Sequence, residues 1–328
     1  MTEQEGRAAR PATRTTAVLA VALVAAVLLA LLPDVRSTWQ RASAAVAWRT
    51  GTTVHTLRID GVRRTYRVYR PAGLPAAAPL VVFLHPAFGN ARQAQGDYHW
   101  DDVADASKVV VAYPDGIGAT WNAGSCCGRA QSRGIDDVAF VSAMVGQIRA
   151  NIGIDPAQVH AVGFSNGAFM AERLACDTGL FAGIAEVAGT RVTTSCTPAA
   201  ATAPSVLYVH GLADTNVRWD GEPGSGVAKV DGEPRETSLT TWRDLAGGCG
   251  PAARRDDLAG TTQVVRTTWT CARGRAVAAI TLSDAGHQYP GAVDHPAQDR
   301  ALGLPAPSTA IDATAEIWAF LAAHPRQP

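Results

Sequence analysis

VHAVGFSNGAFMAERLAC, running from Val159 to Cys176, is the stretch on which the fold turns. Val159–Val162 is a short apolar run. The chain then turns sharply through Gly163-Phe164-Ser165-Asn166-Gly167 and continues in Ala, Met, Glu, Arg and Leu, all good helix formers. A strand, a tight G-x-S-x-G turn and a helix together make a nucleophile elbow. The spacing has a physical reason. The turn forces Ser165 into a strained backbone conformation with Oγ presented, and the two glycines leave room for neighbouring backbone. The helix that starts at Asn166 directs its positive end at the serine, where negative charge would develop. G-x-S-x-G alone also describes an ordinary glycine-rich strand-to-helix turn carrying an inert serine. The preceding strand and following helix decide for the reactive reading.

The chain has 328 residues, enough for one large α/β domain with a sizeable core or for two small ones. Its formal net charge is zero, so nothing points to nucleic acid or an anionic surface as partner. Six cysteines are present: Cys126, Cys127, Cys176, Cys196, Cys249 and Cys271. An even number suits a disulfide framework in an exported chain. There is no C-x-x-C and no Cys/His set at zinc spacing, so no metal site is expected.

Residues 1–16 are polar and carry Arg7, Arg10 and Arg14, and Ala17–Leu32 is uninterruptedly apolar. This reads as an export signal, with the positive end retained inside. The run is somewhat short of the roughly 20 residues of a spanning helix. Small-residue cleavage patterns follow at Ala42-Ser43-Ala44 and Ala45-Val46-Ala47, far enough downstream that an uncleaved signal anchor is a real alternative. Residues 1–47 are therefore expected to be a signal peptide or signal anchor, and 48–328 a single catalytic domain outside the cytoplasm. Membrane contact is expected only through the uncleaved segment.

Thr53–Ile59 and Val62–Tyr69 alternate around Asp60-Gly61, a strong hairpin signal. Leu80–Leu84 and Val109–Ala112 are continuous apolar runs, as central parallel strands require. Asp136–Ala150 has helical spacing with acids in its first turn. Gly183–Val187, Val206–Val209, Thr262–Thr270 and Ala276–Leu282 read as strands. Thr237–Leu245 reads as a helix, and Val217–Glu236 as a surface loop. A last helix capped by Ser308 or Thr309 carries Ile311, Ile317, Trp318, Phe320 and Leu321. Alternating strands and helices predict an α/β fold with a mostly parallel central sheet and helices on both faces. The loop after Leu84, Ser165, Asp214 and His287 each follow a predicted strand, so they converge on one edge of that sheet, where such folds bind ligands.

A serine hydroxyl needs a base within hydrogen-bond reach, and the base needs an orienting group. His287 follows the final strand, and Asp214 follows the strand ahead of the long loop. The order Ser165, Asp214, His287 is the one α/β-hydrolases use. Asp220 and Asp284 are rivals for the acid, and His210 reads as a structural neighbour of Asp214. The oxyanion of an acyl-transfer site would take the Asn166 N–H as one donor. The second should come from the loop after Leu84. Pro86 has no N–H, which leaves Ala87 first and Phe88 second. His85 reads as a loop-shaping residue. Trp100, Trp121, Trp219 and Tyr289 are candidates for a pocket lining, set against the commoner fate of aromatics as core.

Together, LVVFLHPAFGN, VVVAYPDG, TWNAGSCCG, GIDDVAF, the elbow stretch, VLYVHGLADTNV and DAGHQYPG resemble the secreted polyhydroxybutyrate depolymerase and feruloyl/acetylxylan esterase-like family of α/β-hydrolases. The resemblance extends from about residue 55 to the C-terminal helix. It implies Ser165 as nucleophile, His287 as base and Asp214 as orienting acid. It also implies Cys176 paired with Cys196 and Cys249 with Cys271, leaving Cys126 and Cys127 to form a vicinal disulfide or remain free. Two positions depart from the family pattern. His85-Pro86 stands where His-Gly is usual, and Tyr289 where a Trp commonly follows the histidine. The expected activity is an exported serine hydrolase of carboxylic esters acting through an acyl-enzyme without a cofactor. Its substrates would be hydroxyalkanoate oligomers or acylated polysaccharide fragments. An acyltransferase or peptidase of the same fold would differ in favouring an alcohol acceptor or in cleaving anilides. A non-catalytic envelope binding protein would be expected to lack part of the Ser, Asp and His set.

Overall fold

The computed structural model describes residues 48–327, apart from 194, 195, 197, 199, 200 and 226–229. The segment read as an export signal, residues 1–47, lies outside the described residues. Strands β1 (Gly51–Ile59) and β2 (Val62–Arg70) form the expected hairpin. Asp60 and Gly61 both have positive φ, 48° and 79°, the pairing that matches a two-residue turn to strand twist. Next come β3 (Ala78–Leu84), helices α1 (Ala91–Asp97) and α2 (Trp100–Ser107), β4 (Val110–Pro114), α3 (Gly128–Ser132) and α4 (Asp137–Asn151). Then follow β5 (Ile154–Phe164), α5 (Asn166–Asp177), β6 (Gly183–Val187), β7 (Ser205–Gly211) and α6 (Arg235–Leu245). Strands β8 (Ala253–Ala259), β9 (Thr262–Thr270) and β10 (Ala276–Leu282) precede α7 (Pro296–Leu302) and α8 (Ala313–Ala323).

The ten strands among the described residues form one sheet in the order β1-β2-β4-β3-β5-β6-β7-β10-β9-β8. The inner six, β4 to β10 in that order, run parallel, and the two strands at each end are antiparallel. The inner strands are covered on both faces, which is why they read as unbroken apolar runs. Every residue of β6 and β7 is buried. Side chains alternate between faces. Val81 and Phe83 of β3 join one buried cluster with Trp100 and Ala104 of α2 and Ile317 and Leu321 of α8. Leu80, Val82 and Leu84 are left for the opposite face, where α5 packs on β3, β5 and β6, and α4 packs on α5.

Three expectations need correction. Helix α8 is capped by Asp312, whose carboxylate accepts from the Ala315 N–H at 3.0 Å, and not by Ser308 or Thr309. The Ser308 hydroxyl is spent one turn earlier on the Ala310 N–H. The stretch Val217–Glu236 is not wholly a surface loop, because Val217, Val230 and Arg235 are buried and α6 already begins at Arg235. Strand β5 starts at Ile154, five residues before its apolar core. Its register against β3 shifts between Ala78 and Leu80, and that irregularity lets Pro156 sit within the strand.

Cys176 is bonded to Cys196, and Cys249 to Cys271, with Cα atoms 4.6 and 3.9 Å apart. Cys126 and Cys127 are also bonded, across a cis peptide.

Candidate active site

Strand β5 delivers Phe164 to the sheet edge, and the chain reverses into α5 within one residue. Ser165 takes φ 54°, ψ −121°, a region costly for any residue with a side chain. Its backbone is over-determined by neighbours: its N–H donates to Val187 O at 2.9 Å, and its carbonyl accepts from Ala168 and Phe169. The flanking glycines are required by close approach. A Cβ on Gly163 would lie 2.1 Å from Gly167 O, and one on Gly167 would lie 2.0 Å from Leu84 O. So the turn packs against itself and against the end of β3, and no larger residue fits at either position.

The loop after β10 brings His287 onto the serine. His287 Nε2 is 2.9 Å from Ser165 Oγ, and its Nδ1 is 2.7 Å from Asp214 Oδ2. Asp214, in the loop after β7, accepts from the Asn216 and Val217 N–H groups through Oδ1, at 2.8 and 2.9 Å. An ionised Asp214 can only accept, so His287 donates from Nδ1 and its neutral form leaves Nε2 free to receive the serine proton. The Asp214 carboxyl is held below the usual carboxylate range. Burial pushes it up, but the hydrogen bond and charge of His287, the nearby His210 and the Val217 N–H outweigh that. His210 donates from Nε2 to Val217 O at 2.8 Å and lies 3.5 Å from Asp214. Burial pushes its pKa down to about 4, so it braces the acid as a neutral ring. The rival acids are elsewhere: Asp220 pairs with Arg218 in the open, and Asp284 accepts from the Thr262 hydroxyl.

On the other side of Ser165, Pro86-Ala87-Phe88-Gly89 closes a tight turn through Gly89 N–H to Pro86 O at 3.1 Å. The His85-Pro86 bond is trans. The Phe88 N–H, the second candidate for the oxyanion, is engaged with Ala119 O at 2.9 Å and is removed from the choice. The N–H groups of Ala87 and Asn166 have no acceptor among the described residues. His85 is a buried bracket: Nδ1 donates to Pro86 O and Nε2 accepts from the Gly116 N–H, at 2.8 and 3.0 Å.

Sequence reasoning weighed only the backbone of Asn166. Its side chain does more. Asn166 Oδ1 accepts from the Trp121 N–H at 2.7 Å, and Nδ2 donates to Trp121 O at 3.1 Å. The Trp121 indole N–H then donates to His85 O at 2.9 Å. One buried chain of polar contacts thus ties the start of α5 to the turn that holds Ala87. The presence of both TWNAGSCCG and GFSNG in the resemblance is the one sequence signal that joins them. Trp121 belongs to this bracket and not to a pocket wall. Trp100 and Tyr289 are also fully buried in the core, and Trp219 packs edge-on against His210. The cleft at Ser165 and His287 is instead walled by Ala87, Phe88, Tyr98, Phe164, Val293 and Leu302, among others. Among the described residues no cluster could hold a metal ion.

A nucleophile, a base aligned by a carboxylate, and two unpaired N–H groups beside an apolar cleft are the parts that acyl transfer needs.

No protein-family model matches the chain. A protein of Nocardia uniformis subsp. tsuyamanensis that carries the esterase name NocK is 31% identical over 262 residues, covering 73% of this chain and 74% of its own length. Poly(3-hydroxyalkanoate) depolymerase C of Paucimonas lemoignei is 35% identical over 126 residues, or 36% of this chain and 30% of that protein. Feruloyl esterase B of Piromyces equi is 34% identical over 104 residues, 30% of this chain and 18% of that protein. Among solved structures, the acetyl xylan esterase of Aspergillus awamori superposes with a TM-score of 0.54 at 16% identity, covering 76% of this chain and 97% of that one. The dienelactone hydrolase-like phosphotriesterase P91 gives 0.51 at 15% identity, over 83% and 97%. At such identities the likeness is one of fold.

Proposed function

The chain belongs to the esterase family of α/β-hydrolases, and from that premise we propose that it is an exported serine esterase working through an acyl-enzyme on Ser165. The observation that carries this reading is the unbroken relay from Asp214 through His287 to Ser165, at 2.7 and 2.9 Å, opening on a cleft.

His287 Nε2 takes the proton from Ser165 Oγ as the oxygen attacks the ester carbonyl. Asp214 keeps the imidazole in the right tautomer and stabilises the imidazolium that forms. The Ala87 and Asn166 N–H groups receive the oxyanion. They are held in place by the Trp121 bracket, so little reorganisation is needed as charge develops. The tetrahedral intermediate then collapses. His287 returns its proton to the departing alcohol, and the same relay activates water to release the acid. The chemistry calls on no group beyond these residues.

Residues 48–328 form the catalytic unit in this reading, and the basic-then-apolar segment 1–47 directs it out of the cytoplasm. The three bonded cysteine pairs suit an oxidising compartment. The substrate is a carboxylic ester, either an acylated polysaccharide fragment or a hydroxyalkanoate oligomer, as the relatives' names suggest. The test is hydrolysis of 4-nitrophenyl acetate and butyrate, methyl ferulate, acetylated xylan and 3-hydroxybutyrate oligomers, run beside Ser165→Ala. Ester turnover that disappears in the variant supports the reading. An inert wild type, or a variant as active as the wild type, refutes it.

A further inference from the structure

The cleft is not chemically even. One wall carries Asp97, His295 and Asp299, all three facing the same space as Ser165 and His287. The three are built together. His295 Nε2 lies 3.0 Å from Asp97 Oδ2, and the His295 backbone N–H donates to Asp299 Oδ2 at 3.3 Å. The Val293 N–H donates to Asp97 O at 2.9 Å, which ties the wall to the end of α1. The Asp97 carboxylate is only 13% exposed, so water screens it less than a surface acid. Two carboxylates face at most one cation, so this wall stays negative whether His295 is protonated or neutral. Asp214 adds a further negative charge behind His287. Among the described residues that line the cleft there is no lysine or arginine. A substrate carboxylate entering here would meet repulsion with no lysine or arginine to offset it.

We propose that this carboxylate wall makes the site select neutral esters and reject anionic ones, with Asp97 and Asp299 as specificity-determining residues. The proposal rests on the esterase reading and narrows it. Neutral acyl esters of sugars meet the requirement. Short hydroxyalkanoate fragments, whose free carboxylate would lie close to the scissile bond, do not.

The test compares kcat/KM for 4-nitrophenyl butyrate and 4-nitrophenyl hemisuccinate, each corrected for its buffer rate. The two acyl groups differ by a terminal methyl against a carboxylate. At low ionic strength the wild type should prefer butyrate by at least about tenfold, the effect of one like-charge contact at close range in a partly screened site. Asp97→Asn and Asp299→Asn should each narrow that preference by about threefold, and salt near 0.5 M should narrow it in the wild type more than in the double variant. Asp299→Asn leaves the Asp97–His295 contact in place, so it reads charge even if Asp97→Asn disturbs the loop. Equal rates on both esters in the wild type, or a preference that neither substitution moves, would overturn the proposal. Turnover of neither ester would instead remove the esterase reading, and the proposal with it.

Discussion

Asn166→Ala separates two roles that one residue combines. The backbone N–H proposed for the oxyanion survives the substitution, and the side-chain bracket does not. Two buried groups lose their partners: the Trp121 N–H, held at 2.7 Å, and the Trp121 carbonyl, held at 3.1 Å. Trp121 is fully buried, so water cannot replace the amide. An orphaned buried donor or acceptor costs about 1–3 kcal/mol, so the pair should lower stability by about 2–6 kcal/mol. Trp121 also holds His85 O, so the Ala87 turn loses its anchor to the elbow. A displacement of about 1 Å at a reacting centre costs about a hundredfold in rate. Urea denaturation and kcat/KM on 4-nitrophenyl butyrate measure the two effects on the same protein. Trp121→Phe is the companion: it removes the indole donor to His85 O and leaves a small cavity at a fully buried site, and should cost about 2–4 kcal/mol with a smaller rate loss. A variant Asn166→Ala that loses under about 1 kcal/mol and keeps its rate within a few-fold would refute the idea that the Asn166–Trp121–His85 chain positions the oxyanion turn.

Other outcomes follow from the same structure. Gly167→Ala should abolish soluble folded protein or cost more than about 4 kcal/mol, because its Cβ would stand 2.0 Å from a backbone oxygen, and normal stability would contradict the close approach. Acidification should weaken the fold through His160 and His210, buried residues with pKa values lowered to about 3 and about 4 from 6.5. Below pH 6.5 the unfolded chain binds protons that the folded chain refuses, so stability is full above that pH and falls toward the folded values. By about pH 5 each histidine should cost about 2 kcal/mol, and denaturation midpoints that match at pH 7.5 and pH 5 would show the rings are not buried neutral. Replacing Cys249 and Cys271 together by Ala opens a loop with a sequence separation of 22 and should cost about 3 kcal/mol, read as a fall in Tm smaller than the one reducing agent causes in the wild type by opening all three bonds.

The parts of the fold that sequence displayed are those where local chemistry and tertiary environment agree. Strands β3, β4, β6 and β7 are buried on both faces, so their apolar runs admitted one reading. Ser165, Asp214 and His287 could be proposed from sequence because each follows an apolar strand run, in β5, β7 and β10. Other parts lacked that agreement. Strand β8 reads ARRDDLA, and its residues pair as Arg254–Asp256 and Arg255–Asp257 on an exposed sheet edge, so no apolar alternation marks it. Such charge is how edges avoid pairing with other chains. Helices α1 and α7, ARQAQGD and PAQDRAL, are short and polar. The Phe88 N–H was a fair oxyanion candidate until Ala119, thirty-one positions away in sequence, claimed it. The pocket aromatics were misplaced for a similar reason. Nothing local distinguishes Trp121, locked between Asn166 and His85, from Tyr98, which faces the cleft.

The central claim is that Ser165 carries the acyl group between two half-reactions. Rapid mixing of the protein with 4-nitrophenyl butyrate, acid quench and peptide mass analysis tests it most directly. The account predicts a burst of nitrophenol close to one equivalent per chain where deacylation is slow, with a butyryl mass on the peptide bearing Ser165 and on no other. Steady ester turnover with no adduct on Ser165, or the same turnover in Ser165→Ala, would contradict it.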